Sequence, residues 1–169
     1  MANCFIHFHL KMNNNDNNNK PILIGITGRK FHGKDTLGNR LVQRFGYKKF
    51  AFADPLKEAC RIIFGFNHEQ LYGNKKEEKD VFWNITPRKI FQFVGTDLFR
   101  DQAKNIIPNI GEDLWIEVIR KKILDEWKEN PNQHIVITDV RFPNEADMIH
   151  QMNGIIVRVK RDKMIKRYN

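Results

Sequence analysis

The residues best suited to chemistry stand together near the start of the chain: Gly28-Arg29-Lys30-Phe31-His32-Gly33-Lys34-Asp35-Thr36. Glycine allows backbone torsions and close approaches that a Cβ forbids. A turn carrying Gly28 and Gly33 can therefore aim successive backbone N–H groups at the oxygens of a phosphate chain, and the positive end of a following helix adds to that field. Lys34 supplies a mobile point charge for the β- and γ-phosphates. Gly28, Arg29, Lys30, His32, Gly33, Lys34, Asp35 and Thr36 are thus candidate contacts for a nucleoside triphosphate. A second signal is Asp139, which closes the apolar run His134-Ile135-Val136-Ile137-Thr138-Asp139. At the carboxyl end of a parallel strand it can hold Mg2+ or a metal-bound water. Its plainer alternative is to cap a helix beginning near Pro143. Asp139 and Thr36 are the metal candidates, Thr36 being first a phosphate contact.

These residues can act together only if the elements around them hold them. Ile22 to Thr27 is a short continuous apolar run, suited to a parallel strand buried on both faces. Asp35 to Phe45 carries Leu37, Leu41, Val42 and Phe45 at helical spacing, and Gly46 ends that helix. The glycine-rich turn therefore lies between a strand and a helix, the context its chemistry requires. Lys48 to Ala53 reads as a second strand. Asp54-Pro55 opens a helix to about Phe64, with Asp54 as N-cap. Residues 65–86 read as looser, with Asn74 to Asp80 a solvated charged stretch. Thr86-Pro87 starts a helix through Val94, which Leu98 to Ala103 extends beyond a break at Gly95-Thr96. A long amphipathic helix over Asp113 to Glu129 shows Leu114, Trp115, Val118, Ile119, Ile123, Leu124 and Trp127 on one side. His134 to Asp139 is the third strand, Pro143 to Met152 a helix, and Gly154 to Val159 the last strand. Strands interleaved with helices predict an α/β fold: a P-loop type of three-layer α/β/α architecture on a central parallel sheet.

Composition bounds the partners. With 29 Lys and Arg against 20 Asp and Glu, the net charge is +9, which favours anionic partners without choosing among them. No apolar stretch reaches the ~18 residues needed to span a bilayer, so no membrane is expected. Two cysteines, Cys4 and Cys60, make neither a disulfide framework nor a four-cysteine zinc site, and a reducing, cytoplasmic setting is the expectation. His7 and His9 form no metal set. Residues 1–20, with the run Asn13 to Asn19 (NNNDNNN), read as an Asn-rich disordered tail, and residues 21–169 as one domain.

The ordered blocks carry a resemblance. GRKFHGKDT, FADPLK (Phe52 to Lys57), PRKIFQFVGT (Pro87 to Thr96), Arg100, Asp113-Leu114-Trp115, DVRFPNEA (Asp139 to Ala146) and IIVRVKR (Ile155 to Arg161) together are similar to the phage-type deoxynucleoside monophosphate kinases. The match runs from Ile22 to about Asp162. It implies a P-loop kinase that moves the γ-phosphoryl group of ATP to a deoxynucleoside 5′-monophosphate with Mg2+. Block by block, it assigns ATP to Lys34 and its loop, and the start of the substrate side to Asp54 and Lys57. Arg88, Arg100 and Arg141 become clamps for the monophosphate and the transferring group. Gln92, Trp115, Asn144 and Glu145 become candidates for base, sugar or supporting contacts. Lys34, Asp139, Arg141 and Arg88 are the candidate catalytic set. The chemistry agrees, because phosphoryl transfer asks for positioning and charge neutralisation more than for a protein nucleophile. Kinases of this kind are often dimers, so the resemblance leaves a homodimer open, although the sequence says little about oligomeric state.

The chain departs from the pattern in two places. Asp35 stands where a hydroxyl residue usually follows the lysine, and Thr36 comes one place later. Small kinases of the adenylate kinase type share that later hydroxyl and hold their metal largely through water. The family also continues past the strand at Ile155 to Val159 with an Arg-bearing lid, a further strand and a helix, whereas this sequence stops at Tyr168-Asn169. A fold short at its C-terminus is expected, and its basic last stretch is either the start of a lid, with Arg161 or Arg167 as ATP contacts, or a solvated end. Two alternatives remain open: a kinase similar to phosphomevalonate kinase, suggested by the phosphate loop and Pro55 to Glu58, and a binding module that holds nucleotide or nucleic acid without catalysis. The Arg88 to Gly95 block favours the nucleotide. Nucleic acid is disfavoured, because no helix-turn-helix or interleaving of aromatic with basic residues supports it.

Overall fold

A computed structural model of the chain describes residues 20–107 and 109–160. The expectations for the Asn-rich tail, apart from Lys20, and for Arg161 and Arg167 fall outside those residues. Four parallel strands, β1 (Leu23–Thr27), β2 (Lys48–Phe50), β3 (Ile135–Val140) and β4 (Ile155–Arg158), form one sheet in the order β2-β3-β1-β4. The expected strands are all present. Strand β2 is shorter than expected, because Ala51 already accepts a turn hydrogen bond from the Asp54 amide at 3.1 Å.

Alternate side chains of β1 enter separate cores, as a strand period of two requires. Ile24 and Ile26 pack with Leu41 of helix α1 (Lys34–Phe45), Tyr47 and Val136. Leu23 packs on the other face with Ile116, Ile119 and Ile123 of α5 (Leu114–Glu129) and Met148 and Ile149 of α6 (Pro143–Gln151). The result is the expected three layers, each buried aliphatic side chain contributing about 1.5–3 kcal/mol. Helix α5 is rolled relative to the expected stripe: Ile116 is buried, whereas Leu124 is exposed. Glu126 shares that buried face, where it is tied to the Lys48 ammonium.

A third core lies outside the sheet. It joins Cys60 of α2 (Asp54–Phe64) to Phe66, to Leu71 of the short α3 (His68–Leu71), and to Ile90 and Val94 of α4 (Pro87–Gln92) and its continuation. Two expectations change here. Residues 65–86 contain ordered structure: Asn67 and Gln70 form a reciprocal capping box that starts α3, and Asn74–Glu77 form a 3-10 turn. Gly95 does not break the helix either. The chain continues from Phe93 to Arg100 in a wider π-type coil, and a Cβ on Gly95 would lie 2.7 Å from Leu56 Cδ2. The glycine serves close packing of this coil on α2.

Candidate active site

The glycine-rich turn leaves β1 at its carboxyl end. Gly28 has φ 151°, and a Cβ there would lie 2.5 Å from the carbonyl oxygen of Val159, so both torsion and space require glycine. Gly33 sits at the N-cap of α1 with φ 94° and offers no capping side chain. The first intrahelical bond runs from the Leu37 amide to Gly33 O at 3.0 Å, so the first-turn amides lack helical acceptors and their dipoles point into the turn. Lys34 Nζ reaches back over the turn and donates to Gly28 O at 2.9 Å and Arg29 O at 3.1 Å. Arg29 and Lys30 are exposed on the turn, with the Lys30 ammonium 5.0 Å from the centre of the Phe31 ring. The His32 amide donates to Arg29 O at 3.2 Å, and Asp35 and Thr36 lie exposed on the first turn of α1.

Strand β3 lies beside β1, with Thr27 in register with Val140. Gly28 and Arg141 therefore leave adjacent strands at the same edge of the sheet. The Asp139 carboxylate accepts hydrogen bonds from the amides of Phe52 (2.8 Å) and Ala53 (3.1 Å). It thus anchors the turn that launches α2, and the alternative of capping the helix at Pro143 is replaced by this one. Burial pushes the Asp139 pKa up, and the two amides oppose that shift. The expected N-cap role of Asp54 changes as well. Ala53 occupies the cap and Asp54 lies in the first turn, because Asp139 supplies the acceptor from across the sheet edge.

Lys57, one turn along α2, faces this edge. Burial lowers its pKa, against the attraction of Asp54 and Asp139, and Arg141 lies within its electrostatic reach. Its ammonium sits 4.1 Å from the centre of the Tyr72 ring. Arg141 is exposed. Its backbone amide and that of Phe142 donate to Glu145 Oε2 at 2.6 and 3.0 Å, so Glu145 bonds the backbone of this turn and not the arginine side chain. Burial pushes the Glu145 carboxyl up despite those bonds.

The remaining candidates divide between this turn and the helical side. Arg100 stacks over Phe142 at 5.3 Å and lies 3.5 Å from the exposed Glu112 carboxylate, while its Nε is buried without a hydrogen-bond partner. Asn144 donates to Asp113 at 2.7 Å, and Trp115 donates its indole N–H to Gly95 O at 2.9 Å. These two side chains brace α5 against the 140–145 turn and the π-type coil. Arg88 instead forms an exposed ion pair with Glu77, with Nη2 at 2.9 Å, and Gln92 is exposed one turn later. Sequence reasoning passed over Tyr72, Phe142 and Glu112. The visible signal for Tyr72 was the Asn67/Gln70 capping pattern, which places an aromatic at the end of α3 facing α2.

Known proteins resemble this chain in sequence. The family model described as deoxynucleotide monophosphate kinase matches residues 65–168, more than half of the chain. A protein of Acanthamoeba polyphaga mimivirus, provisionally named a deoxynucleotide monophosphate kinase, is 40% identical over 143 residues, spanning 83% of this chain and 74% of its own length. The deoxynucleoside-5′-monophosphate kinase of Escherichia phage T5 is 32% identical over 109 residues, 64% of this chain and 38% of that enzyme. Among solved structures, TT1252 from Thermus thermophilus aligns over 83% of this chain and 66% of its own, at 21% identity and a TM-score of 0.44. On the family model over residues 65–168 and the mimivirus relative, the chain belongs to the deoxynucleotide monophosphate kinase family.

Proposed function

We propose that the chain transfers the γ-phosphoryl group of ATP to a deoxynucleoside 5′-monophosphate at the edge shared by β1 and β3. The supporting observation is the convergence there of the amide-rich turn 28–34 with the Asp139-to-Arg141 turn and Lys57. The turn amides and Lys34 hold the triphosphate, with Arg29, Lys30, His32, Asp35 and Thr36 around it. In this reading a phosphate chain displaces Lys34 Nζ from the carbonyls of Gly28 and Arg29. Lys57, Arg100 and Arg141 oppose it with fixed positive charge for the acceptor monophosphate, where two anions must be brought in line against their repulsion. Arg88 and Gln92 approach from the helical side, and Arg88 must exchange Glu77 for phosphate.

Asp139 suits a metal held through water. Each of its oxygens accepts one amide and keeps a further lone pair, which is the outer-sphere role that the well-hydrated Mg2+ favours. Bound there with the phosphates, the ion would neutralise charge that builds on the transferring group. Asn144, Trp115, Glu145 and Asp54 fit supporting roles, because their polar atoms or their neighbours are already engaged in holding the edge.

The test is to offer purified protein each of the four dNMPs, their ribose counterparts and 5-phosphomevalonate with ATP and Mg2+, and to resolve the products chromatographically. Formation of at least one dNDP supports the reading. A folded sample inactive on every dNMP, or active only on the mevalonate, would falsify it.

A further inference from the structure

Lys57 is held differently from Arg88 and Arg100, each of which has a carboxylate beside it. Arg88 is paired with Glu77 and Arg100 lies beside Glu112. Lys57 makes no direct ion pair among the described residues and instead rests its ammonium 4.1 Å from the centre of the Tyr72 ring. The opposite charges that reach it, Asp54 and Asp139, act from further off. This matters for an anion-binding lysine. A carboxylate partner competes with the incoming phosphate, whereas an aromatic face holds the cation while leaving its charge and its N–H donors largely available.

Tyr72 is 45% exposed, and its ring is held by its helix end, by His68 and at its hydroxyl. Tyr72 ends α3, its amide bonded to His68 O at 2.8 Å. Its ring packs on that of His68, with centroids 5.1 Å apart. Burial raises the pKa of its hydroxyl, and the neighbouring Asp54 and Glu58 raise it further. Behind it, Gln70 closes the α3 capping box and donates to Asp80 at 2.7 Å.

We infer that Tyr72 is a positioning residue for the acceptor phosphate: its ring holds the Lys57 ammonium toward the edge formed by Asp139 and Arg141, so that the monophosphate meets a pre-oriented cation. The inference rests on the kinase reading above.

Steady-state kinetics on the full chain separates the two. Wild-type protein is compared with Tyr72→Leu, Tyr72→Phe, Lys57→Met and the Leu/Met double variant, varying the dNMP and ATP in turn. Tyr72→Leu should raise KM for the dNMP about tenfold, the size of a partly desolvated cation–π contact. KM for ATP should stay within about twofold, since α3 packs on the Asn74–Glu77 turn and the third core. Tyr72→Phe keeps the ring and should restore most of the dNMP affinity. In the Lys57→Met background, Tyr72→Leu should add almost nothing. In the NMR spectrum, Lys57 methylene protons shifted upfield by the ring should return to ordinary values in Tyr72→Leu.

With an active wild type, a normal dNMP KM in Tyr72→Leu, equal loss in Phe and Leu variants, or full additivity with Lys57→Met each overturns the positioning role and leaves the kinase reading intact. A folded wild type inactive on every dNMP overturns both.

Discussion

The Lys34 ammonium donates only to carbonyl oxygens of its own turn, so its removal takes away charge without opening a core. Lys34→Ala should lower turnover at least ~100-fold, the scale for deleting a group that stabilises transition-state charge, with the circular-dichroism melt unchanged. Asp139 behaves differently, because two backbone amides depend on it. Asp139→Ala should cost about 1–3 kcal/mol for each amide left buried and unpaired, read as a lower denaturant midpoint, in addition to its loss of activity. Glu145 makes a pH prediction. Its folded-state pKa is raised by burial, so its contribution to stability is complete below the unfolded value of about 4.3 and is lost as pH rises through the folded value. The stability difference between wild type and Glu145→Gln should therefore fall as pH climbs from 4 towards 7. A difference that grows over that range would contradict the assignment. Cys60, buried with its thiol pushed up to about 11, should react with thiol reagents only on unfolding.

At the scale of elements, the turn after β1 and the short helix α3 carry the most risk. Gly28→Ala sets a Cβ against the Val159 carbonyl, a backbone atom that cannot rotate away, at a φ that L-residues rarely adopt. It should abolish ATP binding, measured by calorimetry, and should also loosen the join between β1 and β4. Asn67→Ala removes the α3 cap and should cost ~1 kcal/mol. Because Tyr72 ends that helix, the same change should raise the dNMP KM. Much of this level was readable in advance. Helix α2 runs Asp54–Phe64 as its Asp-Pro opening suggested, and α1 ends at Gly46 in the left-handed conformation. The exceptions have physical causes. Gly95 has the composition of a break, yet its missing side chain admits Leu56. The Asn67-to-Gln70 capping box lies within a stretch too polar to show an apolar period.

For the whole molecule, folding and nucleotide binding are linked. ATP at a hundredfold excess over its Kd should add about 2.7 kcal/mol of stability, seen as a higher Tm, and Lys34→Ala should shrink that gain. The exposed Arg88–Glu77 pair should contribute under about 1 kcal/mol by a double-mutant cycle. Stability is thus left to the cores on either side of the sheet and the third core of α2, α3 and α4.

The local order of residues determined the phosphate turn, the strand that feeds it and the carboxylate at the end of β3, because glycine torsions, strand length and strand-end position are properties of short stretches. Only the tertiary structure decided which atoms those residues meet. Asp139 serves the amides of a segment far away in sequence, Glu126 finds Lys48 across the molecule, and Lys57 finds an aromatic face rather than a carboxylate. The first two pairings join segments 87 and 78 residues apart, which no local window spans, and the third depends on how α2 and α3 pack in the core outside the sheet.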